Sequence, residues 1–236
     1  RTRSILKYGF DSGLIDTPIR FGQLFRSPSA RVMLKARQAK GLMMFEASEI
    51  RQILDAVKPQ VRAMVLLGVN AGYGNHDCAT LPQTALDLDG GWVTYPRPKT
   101  GIGRRCPLWP QTIGAIKTAL DIRFRPRDPA DAGLVFLTAF GNRWVRLNGK
   151  VWLDSLSVGF GRMQKELGIK RKGRGFYGLR HSFRTVADEV RDRPAIDLIM
   201  GLTDNSMAGV YRERIDDSRL VAVSDHVRNW LFGDSE

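Results

Sequence analysis

Residues 172–183, KGRGFYGLRHSF, pose two chemistries. Gly173, Gly175 and Gly178 fit G-x-G-x-x-G, the spacing of a loop that cradles a dinucleotide pyrophosphate. Such a loop needs an apolar strand before its first glycine and a helix opening at its last. Here Ile169, Lys170, Arg171 and Lys172 come first, after a helical stretch, so the strand is missing and no nucleotide cofactor is expected. The same residues instead form a basic approach to Arg180 and His181, with glycines that let the backbone turn or pass close to phosphate. Two cysteines, Cys78 and Cys106, are too few for a thiol metal site, and no His lies near either at a zinc-ligand spacing. No metal is expected.

The elements around this stretch are legible from periodicity. FEASEIRQILDAV places Ile50, Ile53, Leu54 and Val57 on one helical face, with Ser48 or an upstream residue as a candidate cap, and PQVRAMVLLGVNAG follows as a more buried helix. LPQTALDLDGGWVTYPRPKTGIGRRCPLW reads as a meander: ALDLD, a Gly-Gly turn, WVTYP, the turn KTGIG and a returning RRCPLW. QTIGAIKTALDIRF is helical, LVFL is an apolar run after a polar loop, and VWLDSLSVGFGRMQKELG reads as one helix ending at Gly168. RHSFRTVADEVRD, PAIDLIMGL and NSMAGVYRERI predict three short helices, and DDSRLVAVSDHVRNWLF a last amphipathic one. The fold class is therefore mainly α with a small antiparallel β-meander, α+β. Residues 1–42, basic and broken by Gly13, Pro18 and Pro28, read as the end of a preceding module plus linker. Residues 43–236 read as the compact domain, and a start at Arg1 reads as a fragment of something longer.

A formal charge of +13 and a pI near 10.3 over 236 residues favour a polyanionic partner. Lys and Arg placed on phosphates release condensed counterions, which makes nucleic acid the leading partner class. A basic surface kept for solubility, or anionic lipid, is the alternative; no apolar run near 18 residues and no signal-peptide pattern occurs, so no membrane partner and a cytoplasmic, nucleoid-associated protein are expected.

GLRHSFRTVADE followed by IMGLTDNSMAGVYRERI resembles the last two motif boxes of the tyrosine recombinase (phage integrase) family. In that family an Arg in an L-R-H box precedes a nucleophilic Tyr that lies nine residues after the histidine of an L-G-H box. Here Arg180 precedes Tyr211 by 31 residues and Gly201 stands at the box glycine. Upstream, LLGVNAGYGNHD and the hairpin with Lys99 in its K-T-G turn are similar to the first box and the segment after it. The resemblance covers residues 45–232. It implies a DNA breaking-rejoining catalytic fold preceded by a DNA-clamping module, and a domain that acts on double-stranded DNA as a homo-oligomer. It also implies chemistry without metal or nucleotide. Tyr211 would attack the scissile phosphate to form a 3′-phosphotyrosine, Arg180 and its neighbours would hold the non-bridging oxygens, and Lys99 would protonate the leaving 5′-oxygen.

Three positions depart from the family pattern. Gly74 stands where the first box has Arg, with Asp77 at its acidic position; Tyr177 stands where His is usual; Leu202 replaces the last His. Arg104, Arg105, Arg212, Arg214 or His76 are the groups that would have to restore the missing charge. His181 is expected to be structural. Arg104, Arg105, Lys170, Arg171, Lys172 and Arg174 are expected on the DNA backbone, positioning the duplex without reading it. The apolar stripe of the last helix, with Val223, Val227 and Trp230, fits a neighbouring protomer or a fold-back in cis. The departures leave three functions open: a recombinase of impaired activity, an inactive DNA-binding relative that occupies or regulates recombination sites, and a topoisomerase-like nicking enzyme.

Overall fold

A computed structural model of the chain describes residues 2–22, 25–204 and 206–233. The chain divides into two compact units, Arg1–Gly41 and Leu42–Glu236. The first holds helices α1 (Thr2–Asp11) and α2 (Ala30–Lys40), the latter capped by Ser29, whose hydroxyl accepts from the Val32 N–H. Ile5, Tyr8, Val32, Met33 and Leu34 are exposed on these helices.

The second unit is built around α4 (Pro59–Asn70), which opens on a proline where no N–H is needed and is buried from Ala63 to Asn70. On it pack α6 (Pro110–Asp121), α8 (Gly178–Ala187) and α11 (Asp217–Phe232), and α3 (Ala47–Ala56), α7 (Ser155–Glu166) and α9 (Arg193–Met200) join the same core. Of the two readings the sequence allowed, the cap of α3 is the upstream residue, Glu46. Its N–H donates to the Glu49 carboxylate three residues on, which satisfies an end group that Ser48, already inside the helix, has no means to reach. The short α5 (Asn75–Ala79) and the one-turn α10 (Met207–Val210) complete the helices used below. NSMAGVYRERI thus yields a single turn rather than a full helix; its first residue, Asn205, lies outside the described residues.

The expected meander is a three-stranded antiparallel sheet of β1 (Leu86–Asp87), β2 (Trp92–Thr94) and β3 (Arg105–Pro107), with Leu86 opposite Val93 and Val93 opposite Cys106. A second hairpin overturns part of the sequence reading. VWLD is not the start of a helix but strand β5 (Val151–Asp154), paired with β4 (Val145–Asn148). Gly149-Lys150 makes the tight turn between the paired Asn148 and Val151, with Gly149 at φ +60°, and the Asp154 carboxylate then caps α7 by accepting from the Ser157 N–H.

One buried polar residue ties these layers together. The Asn70 amide donates to the Pro107 carbonyl and the Ser224 hydroxyl, while its oxygen accepts from the Trp109 N–H and the Thr112 hydroxyl. Fully buried, it leaves no amide group unpaired and fixes α4 against β3, α6 and α11. Helix α11 buries Leu220, Val223, Val227 and Leu231 within its own unit, so the apolar stripe is occupied in cis. Among the described residues no helix is long and apolar enough to cross a membrane.

Candidate functional site

Helix α8 carries Arg180 on its inward face, between the buried Leu179 and Phe183. The helix lies close to neighbouring backbone because Gly178 has no side chain: a β-carbon there would lie 2.6 Å from the Phe45 ring and 2.7 Å from the Met43 carbonyl. The last glycine of G-x-G-x-x-G therefore serves helix packing. Arg180 is 4% exposed and donates to the Gly72 carbonyl at 2.5 Å and the Met200 carbonyl at 2.9 Å. Burial lowers its pKa; nearby Tyr177 and Asp77 raise it, while the charges of Arg97 and Arg104 lower it further.

The loop after α4 supplies the other wall. The Gly74 N–H donates to one Asp77 oxygen at 2.7 Å, and the second Asp77 oxygen lies 3.2 Å from an Arg104 nitrogen. Arg104 is 1% exposed. Its Nε donates to the Tyr95 carbonyl, and its guanidinium lies 4.1 Å over the Tyr73 ring. Both terminal nitrogens of Arg104 lack an aligned hydrogen bond, so the contact with Asp77 is one of charge. Gly201, at φ +62°, lets these side chains meet: a β-carbon there would lie 2.6 Å from Arg104 Cγ and 3.0 Å from Arg97 Cβ. The guanidiniums of Arg104 and Arg180 thus stand with the Asp77 carboxylate near the segment Gly72–Gly74, and the Arg97 charge is near enough to lower the Arg180 pKa. Like charges so arranged favour an anion among them.

Tyr177 fills the space that the missing side chain at Gly74 leaves. Its ring lies 3.2 Å from where a Gly74 β-carbon would be, and it is edge-on to His181 at 5.7 Å. Burial, then the Arg180 charge, lowers the His181 pKa, which leaves that imidazole neutral at pH 7.

Other expected residues stand apart from this cluster. Lys99 is exposed in a turn closed by the Thr100 and Gly101 N–H groups on the Arg97 carbonyl. Tyr211 is 76% exposed just after α10 and touches neither Arg180 nor Lys99 among the described contacts. Arg212 pairs with Asp204 at 2.7 Å, bracing the Tyr211 segment. A cleft of about 280 Å³, lined by Ile102, Gly103, Leu202, Gly209, Arg212 and Ile215, separates that segment from the β2–β3 hairpin.

Of the six cations expected on DNA, Lys170, Arg171 and Lys172 are exposed, though Lys170 donates to Gln164 and Arg171 lies 3.6 Å from Glu49. Arg174 is a correction. It is buried, forks onto both Glu49 oxygens at 2.7 and 2.8 Å, and donates to the Met44 and Ile169 carbonyls, so it braces the loop from inside. Arg104 is a second correction, its side chain wholly buried in the cluster above. Arg105 forks onto Asp217 of α11 and stacks over Trp92 at 4.0 Å, half-exposed. The residue that sequence reasoning missed is Arg97. Its signal was its place two residues before Lys99 in the turn-bearing YPRPKTG, a stretch where only Lys99 drew attention.

No protein-family model matches the sequence, and no curated protein matches it. Solved structures do. An integrase from mycobacterium phage Brujita is 16% identical with a TM-score of 0.53, over 99% of this chain and 74% of that one. A lambda integrase dimer bound to a COC′ core site is 16% identical with a TM-score of 0.57, over 91% and 72%. The XerA recombinase is 17% identical with a TM-score of 0.55, over 78% and 65%, so this chain spans less than two thirds of that protein. At such identities the likeness is one of fold. The α+β fold described above is the one these recombinases and integrases share.

Proposed function

We propose that this chain carries the catalytic domain of a tyrosine recombinase-type DNA strand transferase, working on double-stranded DNA as a homo-oligomer in the cytoplasm. The observation that carries this reading is the gathering of Arg104 and Arg180 about the Asp77 carboxylate, with the Arg97 charge close enough to act on Arg180. A scissile phosphate supplies the negative charge such a cluster lacks. Arg180, oriented by two backbone carbonyls, faces its non-bridging oxygens. Arg97 and Arg104 supply, from the hairpin side, the positive field that Gly74 does not. Tyr211 Oη attacks phosphorus, gives its own proton to solvent water and forms a 3′-phosphotyrosine; the bond to the 5′-oxygen breaks, and Lys99 delivers a proton to it. Attack by a 5′-hydroxyl of another strand then reverses the step and frees the tyrosine.

A second reading has its own support: with no side chain at Gly74 and an apolar Leu202 at the cleft, the domain holds DNA without cutting it. The two are separated with a pool of nicked duplexes of randomised core sequence, in which cleavage traps the covalent adduct. Under the proposed reading, a protein–DNA band appears on a denaturing gel and disappears in Tyr211→Phe, while duplex binding is kept. Salt-sensitive binding with no adduct from any core sequence supports the non-cutting reading instead. An adduct that religates only its own strand assigns a nicking enzyme.

A further inference from the structure

The β4–β5 hairpin takes no part in the phosphate cluster, yet its surface is unusual for a hairpin facing water. Leu147 and Trp152 are cross-strand partners, 56% and 63% exposed, and Val151 beside the turn is 63% exposed. Residues 143–153 include Arg143, Arg146 and Lys150 and no carboxylate. Arg143 is engaged by Asp131, whereas neither Arg146 nor Lys150 has a carboxylate within ion-pair distance among the described residues. The foot of the hairpin is tied to the site loop. Asn75, which follows Gly74, donates to Asp154 at 3.1 Å and to Ser157 at 2.8 Å, and His76 lies edge-on to Trp152 at 6.2 Å. A cleft of about 380 Å³ runs between α5 and the hairpin.

We infer that the β4–β5 hairpin is a DNA-contacting ribbon. Leu147 and Trp152 lie in a groove beside the bound phosphate, and Arg146 and Lys150 lie on the flanking phosphates. The inference rests on the reading that the domain binds duplex DNA. A two-stranded ribbon fits the major groove, apolar side chains press between base steps, and unpaired cations match phosphates. The rival occupant, a second copy of the chain, would bring the same +13 charge to a cationic ribbon.

The test uses the full chain, a fluorescein-labelled 30-base-pair duplex of mixed sequence, and anisotropy over a range of salt. Arg146→Gln with Lys150→Gln is expected to flatten the slope of log K against log salt by about 1.8, the change for two phosphate contacts. Leu147→Ser with Trp152→Ser is expected to weaken binding roughly five- to a hundredfold at unchanged slope. In the wild type, acrylamide is expected to reach Trp152 in the free protein and to lose it in the complex, with Trp152→Phe identifying its share of the fluorescence. Both double variants binding with wild-type affinity and slope, or equal quenching with and without DNA, overturns the inference while leaving DNA binding intact. So does loss of self-association without loss of DNA affinity, which would place a second copy on the ribbon. A wild type that binds no duplex overturns the underlying reading as well.

Discussion

Replacing Gly201 with alanine tests how tightly the cluster is built. Gly201 ends α9 at φ +62°, and an L-residue held there costs about 1–2 kcal/mol. Its β-carbon would also stand 2.6 Å from Cγ and 2.7 Å from Cδ of Arg104, and 3.0 Å from Cβ of Arg97. Arg104 is buried and has no solvent to swing into, so relief requires displacing a packed side chain, at about 1–3 kcal/mol. The two effects together amount to about 2–5 kcal/mol. Gly168→Ala isolates the first, because Gly168 has φ +70° but nothing within 4 Å of its absent β-carbon. In urea titrations followed by circular dichroism, Gly201→Ala is expected to unfold at a midpoint roughly 0.5–1 M below that of Gly168→Ala, at similar slope. Duplex affinity is expected to fall in Gly201→Ala alone. Equal midpoints for the two variants would refute the claim that Arg104 is wedged against Gly201.

Glu49→Ala removes the partner of a buried guanidinium and is expected to cost about 3–5 kcal/mol in the same titration. Burial raises the Glu49 pKa, but the hydrogen bond from Arg174, the Glu46 N–H and the charges of Arg174 and Arg171 outweigh it and leave it lowered. Its contribution is therefore present above the unfolded value of 4.5 and lost as pH falls through the folded one, so the stabilities of wild type and Glu49→Gln should converge in acid. Cys78 and Cys106 are buried, and burial raises both thiol pKa values. A disulfide reagent at pH 8 is expected to titrate no thiol in the native protein and two in urea; a fast-reacting native thiol would contradict the packing around Asn70.

Much of the fold was legible because burial leaves a period in the sequence. Ile50, Ile53 and Leu54, or Leu220, Val223 and Val227, repeat at helical spacing and lie inside, and the meander announced itself through its turns. VWLD misled because a short apolar run has no period of its own, and the Gly149-Lys150 turn before it was the cue that mattered. The candidate site was legible by residue type and not by side of the chain. A guanidinium has the same formula on a surface loop and over a buried tyrosine, so Arg104 and Arg174 read as surface cations until Asp77 and Glu49 were placed against them. Arg97 joins the cluster only through the closing of the β2–β3 hairpin, a contact no spacing rule contains.

The ion pair between Arg105 and Asp217 does more than hold β3 to α11. With Arg219 forked onto Asp192, it pins the start of the last helix, and the Leu202 N–H on the Asp197 carbonyl pins the end of α9. Tyr211 therefore hangs on a strap fixed at both ends, six residues from Asp217, which bounds its backbone to within about 20 Å of that pin. A side chain on so short a leash samples one small volume continually, at an effective concentration of about millimolar, instead of searching the solvent. Cutting both ion pairs with Asp217→Ala and Arg219→Ala would loosen that end of the strap without touching a single residue of the guanidinium cluster.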